Sequence, residues 1–434
     1  MIARTARVIE GRSINTSPPR STFQRFFAQL GPGLITGAAD DDPSGISTYS
    51  VAGATFGYAP LWTALFSFPL MTAVQLMCAR LGMVTGRGLA GAIRRRYPRW
   101  VLWSACGILA VANVINIAAD LGGMAEATTM VIGPMPRSIV VFAYAAIMVA
   151  LLFWSSYRAI ARVFKWLTLV LLAYVGTAFF AKVDWPSAIS ATFHPHLEWS
   201  REYFAVMVAI LGTTISPYLF FWQAAQEVEE ERAMGRNLAQ RRGATAEELR
   251  NCRIDVTTGM FASNAIMYFI ILTTAATLHA NGKTQIDTAQ QAADALRPLA
   301  GPQAYLLFTL GIIGTGMLAV PVLAGSCAYA VAEAAAWRGS LDHRPRSARR
   351  FYGVLAVAVM LGVILTYTGI DAIKMLFATA VLNGVIAPPL ILIVLLLTTD
   401  RKVMGKDVTP AWLAALGWVA FAVMVLAAVG MAVT

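Results

Sequence analysis

The sequence predicts an all-α membrane protein of eleven spanning helices, with the first and sixth broken near the bilayer midplane. Three observations carry this: too few charges for a water-facing surface, apolar stretches of spanning length, and two prolines set among polar residues inside such stretches. Charged residues are 13% of the 434 residues and the hydrophobic set 58%. A soluble domain carries about 25% charged residues, so this chain can coat a lipid-exposed surface but not a watery one.

A spanning helix needs about 20 mostly apolar residues. The stretches that qualify are 31–56, 60–84, 101–127, 138–157, 160–181, 203–227, 257–279, 304–334, 351–368, 371–397 and 411–432. Orientation follows from Lys and Arg in the loops. With eleven spans, one side collects 27 of these residues and the other six. The basic side includes the tail, the Arg87–Arg99 loop, Arg158/Arg162/Lys165, the Arg232–Arg253 loop, the Arg338–Arg350 stretch and Arg401–Lys406. This predicts a multi-pass protein of a bacterial inner membrane, with a cytoplasmic N-terminus and a periplasmic C-terminus. The net charge of +11 is thereby a matter of topology. It is spread over all the inner loops without an aromatic–basic motif, so nucleic-acid binding is excluded.

Residues 1–28 form an Arg/Ser/Thr/Pro-rich tail expected to be disordered, and no apolar core precedes a cleavage site, so no removable signal peptide is expected. The charged 228–255 loop reads as helical in part. Cys78, Cys106, Cys252 and Cys327 are scattered without CxxC pairing, which suggests neither a zinc site nor a disulfide framework. No nucleophile elbow, P-loop or zinc signature supports an enzyme or an ATP-driven pump, and no cofactor is expected.

The first span carries Asp40, Asp41 and Asp42, then Pro43, Ser44 and Gly45. A carboxylate at bilayer depth is costly unless paired or facing a wet cavity. Pro43 lacks an N–H and Gly45 adds freedom, so the helix should break and free carbonyls that can bind a cation. The competing possibility is a span beginning after Pro43, with the aspartates in an interfacial loop; the apolar run before Gly57 is too short for it. The sixth span carries Gly212, Thr213, Thr214 and Ser216 before Pro217. Alone this could be a simple proline kink. Paired interruptions in corresponding helices point instead to a transporter's midplane site. The layout suggests inverted five-helix repeats at 29–184 and 200–399, followed by an eleventh helix at 411–432.

Asp42, Ser44, Thr213, Thr214, Ser216 and freed carbonyls offer oxygen only, which suits hard cations such as Mg²⁺, Ca²⁺ and Mn²⁺. Gly45 and Ser216 are small and leave room for water, which Mg²⁺ gives up reluctantly. Elsewhere, Asp120 in the third span is an ionisable group at depth, open to a proton role or to structural pairing. Asn113, Asn116 and Glu126 share that span. Asn264 and Asn383 could be helix–helix hydrogen bonds, and Asn383 could also support the site. The Gly311–Gly316 run reads as close helix packing. His194 and His196 flank Pro195 in an outer loop and read as solvated.

From about Gly31 to Asp400 the motif spacing resembles the NRAMP family of proton-coupled divalent metal transporters. The family's first-span Asp-Pro-Gly-Asn and following Ala-Gly-Ala are matched here by Asp42-Pro43-Ser44-Gly45 and Ala52-Gly53-Ala54. Its sixth-span Met-Pro-His is matched by Ser216-Pro217-Tyr218, and its third-span Asp-Leu-Ala-Glu by Asp120-Leu121-Gly122-Gly123. The resemblance implies a LeuT-like fold, alternating access by helices 1, 2, 6 and 7 moving against 3, 4, 8 and 9, and a midplane metal held by Asp42 and the Thr213 carbonyl. Gly45 and Ser216 replace the asparagine and methionine ligands; Tyr218 and Gly123 replace a histidine and a glutamate linked to proton movement. This pattern is similar to the NRAMP-related magnesium transporters. The expectation is a monomeric carrier importing a hard divalent cation, Mg²⁺ with Mn²⁺ permeant, with weak or no proton coupling. Alternatives are a proton-coupled Mn²⁺/Fe²⁺ importer, a sodium-coupled amine or organic solute carrier on the same fold, and a non-transporting sensor or structural membrane protein.

Overall fold

The computed structural model describes residues 31–154, 169–236, 243–341 and 345–434. The predicted tail 1–28, the first part of the predicted span 160–181 and a section of the 228–255 loop lie outside these residues. The first predicted span is two helices, α1 (Pro32–Asp40) and α2 (Pro43–Phe56). The chain continues through α3 (Trp62–Thr85), the short α4 (Leu89–Arg96), α5 (Arg99–Ile132), α6 (Arg137–Trp154), α7 (Leu172–Phe180) and α8 (Trp185–Phe193). The sixth predicted span is also two helices, α9 (Arg201–Thr214) and α10 (Pro217–Ala233). Then come α11 (Ala246–Thr277), α12 (Ala289–Ala293), α13 (Ala304–Ala334), α14 (Arg349–Thr366), α15 (Ala372–Thr399), α16 (Arg401–Met404) and α17 (Ala411–Val433).

Nine stretches among the described residues are helical, long and apolar enough to cross a membrane. The broken pair α1–α2 and the shorter apolar α7 stand where the first and fifth spans were expected. The largest boundary difference is at α11, which starts at Ala246 rather than 257. A capping box explains it: the Glu248 N–H donates to Thr245 Oγ1 at 3.2 Å, and Glu248 Oε2 accepts from the Thr245 N–H at 2.8 Å. These bonds satisfy helix-end donors and let charged residues join a helix whose apolar stretch begins later.

Both breaks have the same local cause. The ring of a proline clashes with helical geometry in the residue before it. Asp42, before Pro43, is extended at φ −68°, ψ 171°, and Ser216, before Pro217, at φ −74°, ψ 129°. Each proline then occupies the first turn of the following helix, where its missing N–H costs nothing.

Two groups of helices contact one another. α5 packs on α13 and α14, which also pack together, with α6 alongside; α1 and α2 pack on α11, and α10 packs on α3. The first half of each broken helix meets its neighbour backbone to backbone. A Cβ on Gly37 of α1 would lie 2.3 Å from the Gly259 carbonyl oxygen of α11, and one on Gly212 of α9 would lie 2.1 Å from the Ala380 carbonyl oxygen of α15. Small residues that permit such approach are the usual adhesive between helices in lipid, where no hydrophobic drive operates. The expected close packing near Gly316 is present too: a Cβ there would stand 2.5 Å from Met124 Sδ and 3.3 Å from Pro43 Cγ.

Candidate metal-binding site at the two helix breaks

Asp42 is 2% exposed and serves as N-cap of α2. Its Oδ1 accepts from the Gly45 N–H at 2.7 Å and from the Ser44 hydroxyl at 2.6 Å. Both bonds use the same oxygen, Oδ1. Gly45 contributes its N–H but no side-chain ligand, and a Cβ there would meet Tyr49, the Asp40 carbonyl and Asp42 Oδ1 at 3.4–3.5 Å.

At the second break the polar groups are engaged with backbone. The Ser216 hydroxyl lies 2.9 Å from the Gly212 carbonyl and 2.6 Å from the Thr213 carbonyl. The Thr213 carbonyl keeps its second lone pair for another donor or a cation. The Thr213 hydroxyl lies 3.1 Å from the Tyr49 hydroxyl and 2.9 Å from the Ile210 carbonyl, and Thr214 also reaches the Ile210 carbonyl. Tyr218 joins the two breaks: its hydroxyl donates to the Ala39 carbonyl at 2.9 Å, near the free end of α1.

Asp40 and Asp41 stand on the other side of the first break, both 1% exposed. The Ser263 hydroxyl of α11 lies 2.7 Å from Asp40 Oδ2 and 3.1 Å from Asp41 Oδ1. Asp40 Oδ1 and both oxygens of the fully buried Asp120 have no hydrogen-bond partner. Among the described residues no ion pair reaches Asp40, Asp41, Asp42 or Asp120. A carboxylate buried without a cationic side chain either holds a proton or takes its counter-charge from a bound ion.

Asn383 does not stand free beside the site: its amide pairs with Asn116, with N···O distances of 3.1 and 3.3 Å. Asn264 ties α11 to α3 by donating to the Ala64 carbonyl at 2.5 Å and accepting from Ser67 at 3.2 Å. The glycines after Asp120 have a packing reason. A Cβ on Gly122 would lie 2.5 Å from Arg137 Nη2, and one on Gly123 would lie 2.9 Å from a Leu376 methyl. Glu126 accepts from the Ala289 N–H at 2.9 Å at the start of α12. His194 is exposed and within 3.0 Å of the Ser190 carbonyl. The four cysteines are buried and free.

Sequence reasoning missed Tyr49, Ser263 and Met124. Each is ordinary in a spanning helix, and nothing in local spacing marks it. A further polar line was also invisible: the Thr36 hydroxyl reaches Gln223 Oε1 at 2.5 Å, and Gln223 Nε2 donates to Glu227 at 2.8 Å. Asp255 caps α1 by accepting from the N–H groups of Gly31, Gly33 and Leu34.

Two broken helices facing each other inside a bundle, with buried carboxylates that no cationic side chain pairs among the described residues, define a membrane transport protein rather than an enzyme. The family model described as natural resistance-associated macrophage protein-like matches residues 33–434, and the chain belongs to that family. A divalent metal cation transporter from Xanthomonas campestris is 29% identical over 92% of this chain and 89% of its own. The namesake from Bacillus subtilis is 25% identical over 93% and 91%. The solved manganese transporter of Eremococcus coleocola superposes with a TM-score of 0.74 at 18% identity, covering 97% of this chain and 89% of that one. Mhp1, a nucleobase-cation-symport-1 family transporter, gives 0.53 at 13% identity over 93% of each. The fold is LeuT-like.

Proposed function

We propose that this protein imports a hard divalent metal cation, Mg²⁺ with Mn²⁺ permeant, by alternating access, with weak or no proton coupling. The carrying observation is four buried aspartates, three at the first break and Asp120 on the neighbouring α5, with no cationic side chain paired to them among the described residues. A cargo of charge +2 supplies compensation for two of the four carboxylates, and protons can take the others. Asp42 Oδ2 and the Thr213 carbonyl are the assigned metal ligands. Ser44, Gly45 and Ser216 shape the space, Tyr218 couples the two breaks, and Pro43 and Pro217 keep them open. The oxygen-rich surround favours hard ions. Tyr218 and Gly123, in place of histidine and glutamate, support weak coupling, with Asp120 as the retained ionisable group and Asn383 in a supporting pair.

The same reading assigns 29–184 and 200–399 to inverted repeats, with 411–432 added after them. It makes the protein a monomer of a bacterial inner membrane, with the N-terminus in the cytoplasm and the C-terminus in the periplasm. The two contacting helix groups support one moving against the other.

Mn²⁺ uptake into liposomes should be blocked by excess Mg²⁺, with little acidification of the lumen. Uptake indifferent to Mg²⁺ overturns the ion assignment, and acidification that tracks the metal overturns weak coupling. The second reading, proton-coupled Mn²⁺/Fe²⁺ import, is favoured by the relatives' names and by Met124, whose sulfur packs against the same Gly316 that backs Pro43. Under it, Asp120→Asn abolishes the acidification.

A further inference from the structure

A cavity away from the helix breaks carries an excess of positive charge. It has a volume of about 580 Å³ and lies where the ends of α3 and α4 meet α16 and the turn after it. Arg87, Arg95, Arg96, Lys402 and Lys406 line it, against a single carboxylate, Asp407. Val84, Ala92 and Met404 give it an apolar wall, and all three are buried.

The walls are tied together. Arg80 Nη2 donates to the carbonyls of Asp407 and Val408 at 3.1 and 3.3 Å, holding the turn to α3. The Gly243 N–H donates to the Val84 carbonyl at 2.9 Å. Arg96 pairs with Asp400 at 2.5 Å, joining α4 to the end of α15. Arg95, Lys402 and Lys406 form no ion pair among the described residues. Asp407 and Asp400 offset two of the five cations, and the excess that remains favours an anion shared between the others.

The setting narrows the anion. Val84 and Thr85 end a spanning helix, so the cavity sits at the depth where apolar and polar zones meet. α17 begins four residues after Asp407 and is the least enclosed spanning stretch, with 17% of its apolar window buried. Trp412, in its first turn, is half exposed, as is usual for tryptophan at a membrane interface. Basic pockets at helix ends bind anionic lipid head groups. We infer that this cavity holds the phosphate head group of an anionic phospholipid, with the acyl chains lying along the exposed face of α17.

The test is native mass spectrometry of the purified protein titrated separately with phosphatidylglycerol, phosphatidylcholine and inorganic phosphate. Wild type should retain phosphatidylglycerol preferentially, and equimolar phosphate should not displace it. The variant Arg95→Gln/Lys402→Gln/Lys406→Gln should lose about fivefold per charge, on the order of a hundredfold in all. Removing three equally basic residues outside the cavity, Arg338→Gln/Arg349→Gln/Arg350→Gln, should leave retention unchanged. The charge-preserving Arg95→Lys/Lys402→Arg/Lys406→Arg should retain the lipid, which decides the matter even if the neutral variant folds poorly. Equal retention of the two lipids, displacement by phosphate, or equal losses in the two neutral triple variants would each overturn the inference. A Mn²⁺ isotherm on the same samples reads the helix-break site separately, so either proposal can fail without the other.

Discussion

At the first break three aspartates stand within three residues, and one of them caps the helix that follows. At the second the chain offers hydroxyls and carbonyls alone, and its serine is spent on closing the last turn of α9. Proline produces the opening in both, by the same extended residue before it. The difference lies in what fills the opening. One break supplies negative charge at a depth where charge is costly; the other supplies neutral dipoles that fix geometry. Under the proposed function, a cation bound between them would take its affinity from the first and its selectivity from the second.

That division can be broken at its strongest point. Asp42→Ala should reduce Mg²⁺ and Mn²⁺ binding by calorimetry beyond the roughly 10- to 100-fold typical of residues behind a metal's direct ligands, with the helical circular dichroism unchanged. Retained affinity would move the charge assignment to Asp40, Asp41 or Asp120. The next effect is on folding. Gly37→Val and Gly212→Val each push a Cβ into a backbone carbonyl across a helix pair, and thermal unfolding in detergent should show a loss of about 1–3 kcal/mol for each. A tolerated change at either site would mean that half-helix is not clamped. A smaller effect sharpens selectivity: Ser216→Met restores a thioether at the neutral break and should favour Mn²⁺ over Mg²⁺ several-fold in competition isotherms, whereas Ser216→Ala should not. Equal shifts in both would place selectivity elsewhere.

The smallest expected effect lies outside the spans. The Lys402 N–H and then Arg96 hold the Asp400 carboxyl below its usual range. A depressed carboxylate contributes stability above its ordinary pKa of about 3.9 and loses it as pH falls through the lower folded value. Asp400→Asn should therefore lower the melting temperature slightly at neutral pH and not at all at strongly acid pH. An equal difference at both would show that the Asp400 charge, held by the Lys402 N–H and Arg96, is not responsible.

The spans and both breaks were legible because bilayer thickness, backbone hydrogen bonding and proline sterics act locally. Even so, proline alone did not mark them, since Pro69, Pro321, Pro388 and Pro389 remain inside continuous helices. What distinguished Pro43 and Pro217 was the polar turn before each. The boundary of α11 was missed because a capping box, not hydropathy, sets it.

The sequence by itself determined that this protein lives in a membrane, that two of its helices must open at depth, and that one opening carries carboxylates. These follow from short-range rules that each residue obeys with its immediate neighbours. Tertiary structure alone decided that Ser263 would reach Asp40 and Asp41, that Tyr218 would hold the end of α1, that Asn383 would be taken by Asn116, and that the ends of Arg137 and Leu376 would lie against Gly122 and Gly123. Those contacts join residues up to 267 positions apart. Their partners are set by how helices cross in space, which no local pattern records.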